Sequence, residues 1–184
     1  MSEKEKMIAG EIYNPADAEL YYERIKVKTL CQKYNQLNPS DTETRKKTLK
    51  QIFGKTGENP YIEPAFFCDY GYNIEVGDNF YSNHNLVILD CAKVKIGSNV
   101  CIGPNCGIYT ACHPVNSKER TDGIEYAKPV TIGNSVWLGG NVCIMPGVTI
   151  GDNTVIGAGS VVTKDIPSGV VAVGNPCRPI KKAD

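Results

Sequence analysis

An excess of charge of either sign is the first thing this 184-residue chain lacks: twenty Lys and Arg stand against twenty Asp and Glu. Without a net field there is nothing to recruit a polyanion, so nucleic acid is not expected as a partner. Long apolar runs are missing as well. The N-terminal MSEKEKMIAGEIY is too charged for an export signal, and no later segment is apolar enough to span a bilayer, so the expected location is the cytoplasm. Histidine is scarce, with only His84 and His113, and Trp137 is the single tryptophan. Cysteine is plentiful at eight, yet no two stand in a CxxC spacing. That argues against a structural zinc site, and without an export signal the thiols read as reduced, small packing residues. The length suits one domain with a small appendage.

A repeat of six dominates the second half. Ile132, Leu138, Ile144, Ile150, Ile156 and Val162 follow one another at intervals of six, often with glycine next (Gly133, Gly139, Gly151, Gly157). Four residues after the aliphatic comes a compact side chain: Val136, Val142, Val148, Thr154 and Ser160. The same phase recurs at Ile96, Ile102 and Ile108 and, more loosely, through Val76, Ser82 and Ile88. A helix of 3.6 residues per turn would rotate such a series off any one face, whereas a short strand and a corner repeat naturally in six. The pattern predicts a parallel β-helix, three units to a triangular coil, with Asn79, Asn99, Asn134 and Asn153 at corners.

The front end differs. Leu20, Val27, Leu30, Tyr34 and Leu37 space a helix with one buried face over residues 15–37. A second helix is expected from Ser40, capped with Glu43, to about Gly54, and the proline-bearing stretch Gly57–Pro64 reads as a linker. The domain expectation is a helical region over 1–56, capping a β-helix over 57–184.

The repeat breaks once. Ile108 and Ile132 are 24 residues apart, but the positions in phase between them are Pro114, Arg120 and Tyr126, none suited to an interior. An extruded loop over about 112–129 fits better, and irregular loops on rigid scaffolds concentrate function. His113 stands at its base and Glu125 near its end. The pair can serve as a general base and the carboxylate that sets its tautomer; equally, the histidine can cap a coil. His84 is the weaker candidate.

These residues carry a resemblance. The hexads, the segment YTACHPVNSKERTDGIEYAKPVTIG with its continuation to CRPI, and the front-end MIAGEIYNPADAEL resemble the maltose/galactoside O-acetyltransferases, the maltose type above all. The resemblance covers essentially the whole chain. It implies a mainly β fold, a left-handed parallel β-helix with an N-terminal helical region, assembled as a homotrimer with active sites between subunits. It implies acetyl-CoA as co-substrate, no metal, and a sugar of glucose or maltose type as acceptor.

By the same resemblance, His113 is the general base and Asn83 lies at the reaction centre, where the alternative is a corner asparagine. Glu125 is the partner of the histidine. Asp69 lines the acceptor pocket where galactoside-specific relatives carry serine, and Asp17 and Asp90 are further acceptor-side carboxylates, unless they cap a helix or a turn. Gly139, Gly140 and Ala158 follow the pantetheine, Thr163 and Lys164 approach the nucleotide, and Arg178 and Lys181 approach the phosphates. Taken alone, each glycine reads as a coil corner. Trp137 matches an aromatic beside the active centre, with packing at a subunit interface as the competing role.

Three other functions remain open at this stage: acetyl transfer to a non-sugar or galactoside acceptor, a metalloenzyme like the γ-class carbonic anhydrases, and a non-catalytic solenoid. The second needs several histidines per metal, and this chain has two.

Overall fold

The computed structural model describes residues 1–183. From the Lys55–Thr56 strand onward the chain winds into five stacked triangular coils, and each sixfold aliphatic points into their common axis. Ile132, Leu138, Ile144, Ile150, Ile156 and Val162 are all at most 1% exposed. The looser upstream series behaves alike, since Val76, Ser82 and Ile88 are buried too. One continuous apolar column results, with each coil burying its neighbour's interior.

Three parallel faces line the column. The first comprises Lys55–Thr56, Ile74–Val76, Val94–Ile96, Val130–Ile132 and Thr149–Ile150. The second comprises Tyr61–Ile62, Tyr81–Ser82, Cys101–Ile102, Trp137–Leu138 and Val155–Ile156, and continues into Val170–Gly174 with its antiparallel partner Cys177–Lys182. The third comprises Phe66–Cys68, Leu86–Leu89, Gly107–Tyr109, Cys143–Ile144 and Val161–Val162.

Corners need a left-handed residue, and asparagine supplies most of them. Asn79, Asn99 and Asn153 have φ between +54° and +57°, and Asn59, Asn85, Asn105 and Asn141 lie between +54° and +65°. Stacked amides reinforce the corners: Asn79 Nδ2 donates to Asn99 Oδ1 at 3.0 Å and Asn85 Nδ2 to Asn105 Oδ1 at 2.9 Å. Asn134 departs from expectation. The left-handed residue of its corner is Ser135, and Asn134 instead accepts from the Ser98 N–H at 2.9 Å.

Two of the three N-terminal helices cover the open start of the column, and the first buries Met7 in a separate cluster with Tyr13, Leu20 and Ala127. Helix α1 (Glu3–Ala9), which sequence reading did not foresee, begins with a capping box between Ser2 and Glu5. Helix α2 (Ala18–Asn35) buries Leu20, Val27, Cys31 and Tyr34. Its end is bolted to the first coil: Tyr34 Oη donates to the Ile62 carbonyl at 2.6 Å, and Asn35 exchanges bonds of 3.0 and 2.8 Å with the Phe66 backbone. Helix α3 (Thr42–Ile52) is capped by Asp41, whose carboxylate accepts from Thr44 N. The Ser40–Glu43 box is therefore corrected, since the carboxylate one residue later takes the orphan amide. Gly57–Pro64 is not a linker either; it contains the Tyr61–Ile62 strand, and Gly57 N already pairs with the second coil through the Val76 carbonyl.

The break in the repeat is a hairpin arm. Ala111–Cys112 pairs antiparallel with Tyr126–Ala127, and the arm between carries the short helix α4 (Ser117–Thr121).

Candidate active site

Two edges of the triangular prism carry the residues of interest. On the edge between the second and third faces, the first corner residues stack as Glu63, Asn83, Gly103, Gly139 and Gly157, each N–H donating to the next coil. Gly139 cannot carry a side chain, because a Cβ would lie 2.6 Å from the Ala158 N. Beside this column runs a second one: His84, Pro104, Gly140 and Ala158, joined through Asn105, Asn141 and Gly159. The outcome is a strip of backbone with minimal side chains, and Asn83 stands at one end. Asn83 is not the left-handed corner residue, which is Asn85. Its Oδ1 accepts from His84 N at 2.7 Å, turning the amide NH2 outward. His84 is occupied against the Pro64 carbonyl.

The other edge, between the third and first faces, carries the hairpin arm. His113 is exposed at the base of the arm, and its Nε2 faces Glu125 Oε2 at 3.9 Å. That exceeds a hydrogen bond, so the two side chains are opposed without being joined. Glu125 is buried, and its other oxygen accepts from the hydroxyl of Tyr13. Asp69 sits on the same edge with Cys91 Sγ 3.7 Å from its Oδ2. Burial raises the Asp69 carboxyl above its usual range; the Cys91 thiol, Lys28 and Arg24 pull it down, and the Glu125 charge adds to the rise. Burial likewise pushes the Cys91 thiol up. Arg24 completes the group by donating to Tyr70 Oη at 2.5 Å and to the Pro15 carbonyl at 2.6 Å.

The candidate residues thus divide. The structure brings His113, Glu125 and Asp69 to one edge, and Asn83, Gly139, Gly140 and Ala158 to the other. Thr163 and Lys164 follow the third face onto the His113 edge, both exposed. Arg178 and Lys181 lie exposed on the last strand of the second face. Trp137 projects from that same face, 57% exposed, in register with Cys101 and Tyr81, while Tyr81 stacks on Tyr61 at 6.2 Å.

Two carboxylates are engaged with the backbone, as the alternative reading of each allowed. Asp17 caps α2, accepting from Glu19 N at 3.0 Å and Leu20 N at 3.4 Å. Asp90 is wholly buried, with Oδ1 accepting from Asp69 N and Tyr70 N, both at 2.9 Å. It braces the segment that presents Asp69 and is closed to a ligand. Tyr13, Arg24 and Cys91 were missed. Tyr13 lies inside the front-end motif that carried the resemblance, but nothing in a linear pattern says that it reaches residue 125.

Stacked hexapeptide coils with a helical cap and one extruded histidine arm define a hexapeptide-repeat transferase. The family model described as maltose acetyltransferase hexapeptide capping motif matches residues 6–57, and the bacterial transferase hexapeptide model matches residues 129–164. The galactoside O-acetyltransferase of Escherichia coli K12 is 48% identical over 97% of this chain and 88% of its own. A solved maltose O-acetyltransferase from Clostridium difficile 630 superposes with a TM-score of 0.97 at 53% identity, covering 99% and 97% of the two chains. A galactoside acetyltransferase in complex with coenzyme A superposes at 0.95 with 47% identity, covering 100% and 92%. The chain belongs to the maltose/galactoside O-acetyltransferase family.

Proposed function

We propose that the protein is a cytoplasmic, acetyl-CoA-dependent O-acetyltransferase that moves the acetyl group directly onto a hydroxyl of a glucose- or maltose-like sugar. The observation that carries this reading is His113 opposed to the buried, oriented Glu125 beside Asp69, on a scaffold whose solved neighbour holds coenzyme A. Glu125 fixes the protonated ring nitrogen on its own side, and the other ring nitrogen keeps a lone pair for the sugar hydroxyl. As that proton moves to His113, the sugar oxygen attacks the thioester carbonyl. The C–S bond of the tetrahedral intermediate then breaks, and the imidazolium returns its proton to the departing thiolate. Asn83 presents its amide NH2 to the developing oxyanion. Asp69 accepts hydrogen bonds from acceptor hydroxyls, a task for which a carboxylate suits vicinal diols.

The cofactor strip supports the donor half. Bare backbone at Gly139, Gly140 and Ala158 suits a thin pantetheine, the cations Arg178 and Lys181 suit its phosphates, and Lys164, on the His113 edge, would reach them from a neighbouring subunit. His113 and Asn83 occupy different edges, separated by the third face, whose Leu86–Leu89 strand spans about 13 Å at ~3.3 Å per residue. We therefore read each chain as two half-sites, completed in a homotrimer where the His113 edge of one subunit meets the Asn83 strip of the next. The exposed Tyr81 and Trp137, with Cys101 between them on the second face, give that contact an apolar surface.

Thiol release from acetyl-CoA against glucose, maltose, galactosides and non-sugar acceptors tests the reading. With glucose or maltose the wild-type protein should turn over, and His113→Ala should lower kcat by roughly 100-fold or more with little change in the KM for acetyl-CoA. A variant as fast as wild type would remove the base from the mechanism.

A further inference from the structure

We infer that Tyr13, on the segment between α1 and α2, is a positioning residue of the active centre: it holds the Glu125 carboxylate in the orientation that faces His113. The inference deepens the proposed acetyl transfer and rests on it. Tyr13 is 2% exposed and is joined to the arm as an isolated antiparallel bridge, its N–H donating to the Glu125 carbonyl at 3.0 Å and the Glu125 N–H to its carbonyl at 3.3 Å. Its hydroxyl then donates to Oε1 of the same residue, leaving Oε2 toward His113.

A glutamate on an arm of this length has rotatable bonds to spend on other arrangements, and a donor on one oxygen removes most of them. Burial raises the Tyr13 pKa far above its ordinary value, with the Glu125 and Cys91 neighbours adding to the effect, so the group stays a neutral donor. A neutral donor matters here, because it orients the carboxylate without neutralising the charge that steadies an imidazolium.

The segment bearing Tyr13 has anchors of its own. Asn14 N donates to Glu3 Oε2 at 2.6 Å, and Arg24 holds the Pro15 carbonyl. Removing the hydroxyl alone should therefore leave the segment in place. The helical front end thus contributes to the chemistry as well as covering the open coil.

The test compares Tyr13→Phe, Glu125→Gln and the double variant, with glucose or maltose as acceptor and His113→Ala alongside. The expected result is a roughly 10-fold loss of kcat in Tyr13→Phe, an unchanged KM for acetyl-CoA and an unfolding midpoint that is lowered, since the buried Glu125 oxygen loses its donor, but stays above the assay temperature. The double variant should be no slower than Glu125→Gln alone, because the two groups act as one unit. A Tyr13→Phe variant with wild-type kcat, losses that multiply in the double variant, or a loss that only tracks unfolding would overturn the inference. Those outcomes with an inactive His113→Ala would leave acetyl transfer standing. A wild-type protein that acetylates no sugar, or a fully active His113→Ala, would remove the proposed function and this inference together.

Discussion

Asp90 shows how burial and charge oppose each other at a single residue. Its carboxyl is pushed from an ordinary 3.8 up to about 6, chiefly by desolvation, although two backbone N–H groups favour the charged form. Its Oδ2 has no partner among the described residues. The folded protein holds this proton more tightly than the unfolded chain, so this group's contribution to stability falls as pH rises from about 4 to about 6. The shift is worth about 3 kcal/mol at most. Asp90→Asn keeps an oxygen for both N–H donors and removes the charge. Urea unfolding should show the variant more stable than wild type by about 1–2 kcal/mol at pH 7.5 and no more stable at pH 4. An equal gain at both pH values would refute the electrostatic account. The nearness of His113 to Glu125 was legible, since the two stood at the ends of a broken repeat and the arm brings them face to face. For Asp17 and Asp90 the sequence left two readings open, because a carboxylate in a linear pattern gives no sign of whether it faces solvent, a helix start or two amides, and the structure shows the cap of α2 and the brace beneath Asp69.

At the scale of the element, the coil was readable because the sixfold period admits one geometry and every inward position fills one column. Helix α1 was not, because its seven residues bury only Met7 and leave too short a periodicity to detect. The corners separate glycines required by packing from one available for function. A Cβ on Gly139 would sit 2.6 Å from the next coil's backbone, whereas one on Gly140 would meet nothing nearer than the Pro104 ring carbons at 3.3 and 3.4 Å and the Pro104 carbonyl oxygen at 3.4 Å. Gly139→Ala should therefore cost about 1–3 kcal/mol of stability, as overpacking does. Gly140→Ala should fold with near-normal stability and raise the KM for acetyl-CoA by narrowing the strip. Thermal unfolding and saturation kinetics on the two variants separate these effects; equal stability losses would contradict the assignment.

At the scale of the whole molecule, the family resemblance implied active sites shared between subunits of a homotrimer, and the fold sets His113 and Asn83 on two different edges of one chain. Hexad phase alone does not relate the third-to-first corner of one coil to the second-to-third corner of another. That relation appears only once the faces are assigned. The central claim is therefore that one site draws on two copies of the chain, and subunit complementation tests it most directly. His113→Ala and Asn83→Ala, each inactive alone, would be co-expressed and the mixed oligomers assayed for acetyl transfer. Random assortment places both native residues at about one quarter of the interfaces in a cyclic assembly, so activity should return to about that fraction of the wild-type rate. Hybrid oligomers no more active than either parent would contradict a site shared between subunits.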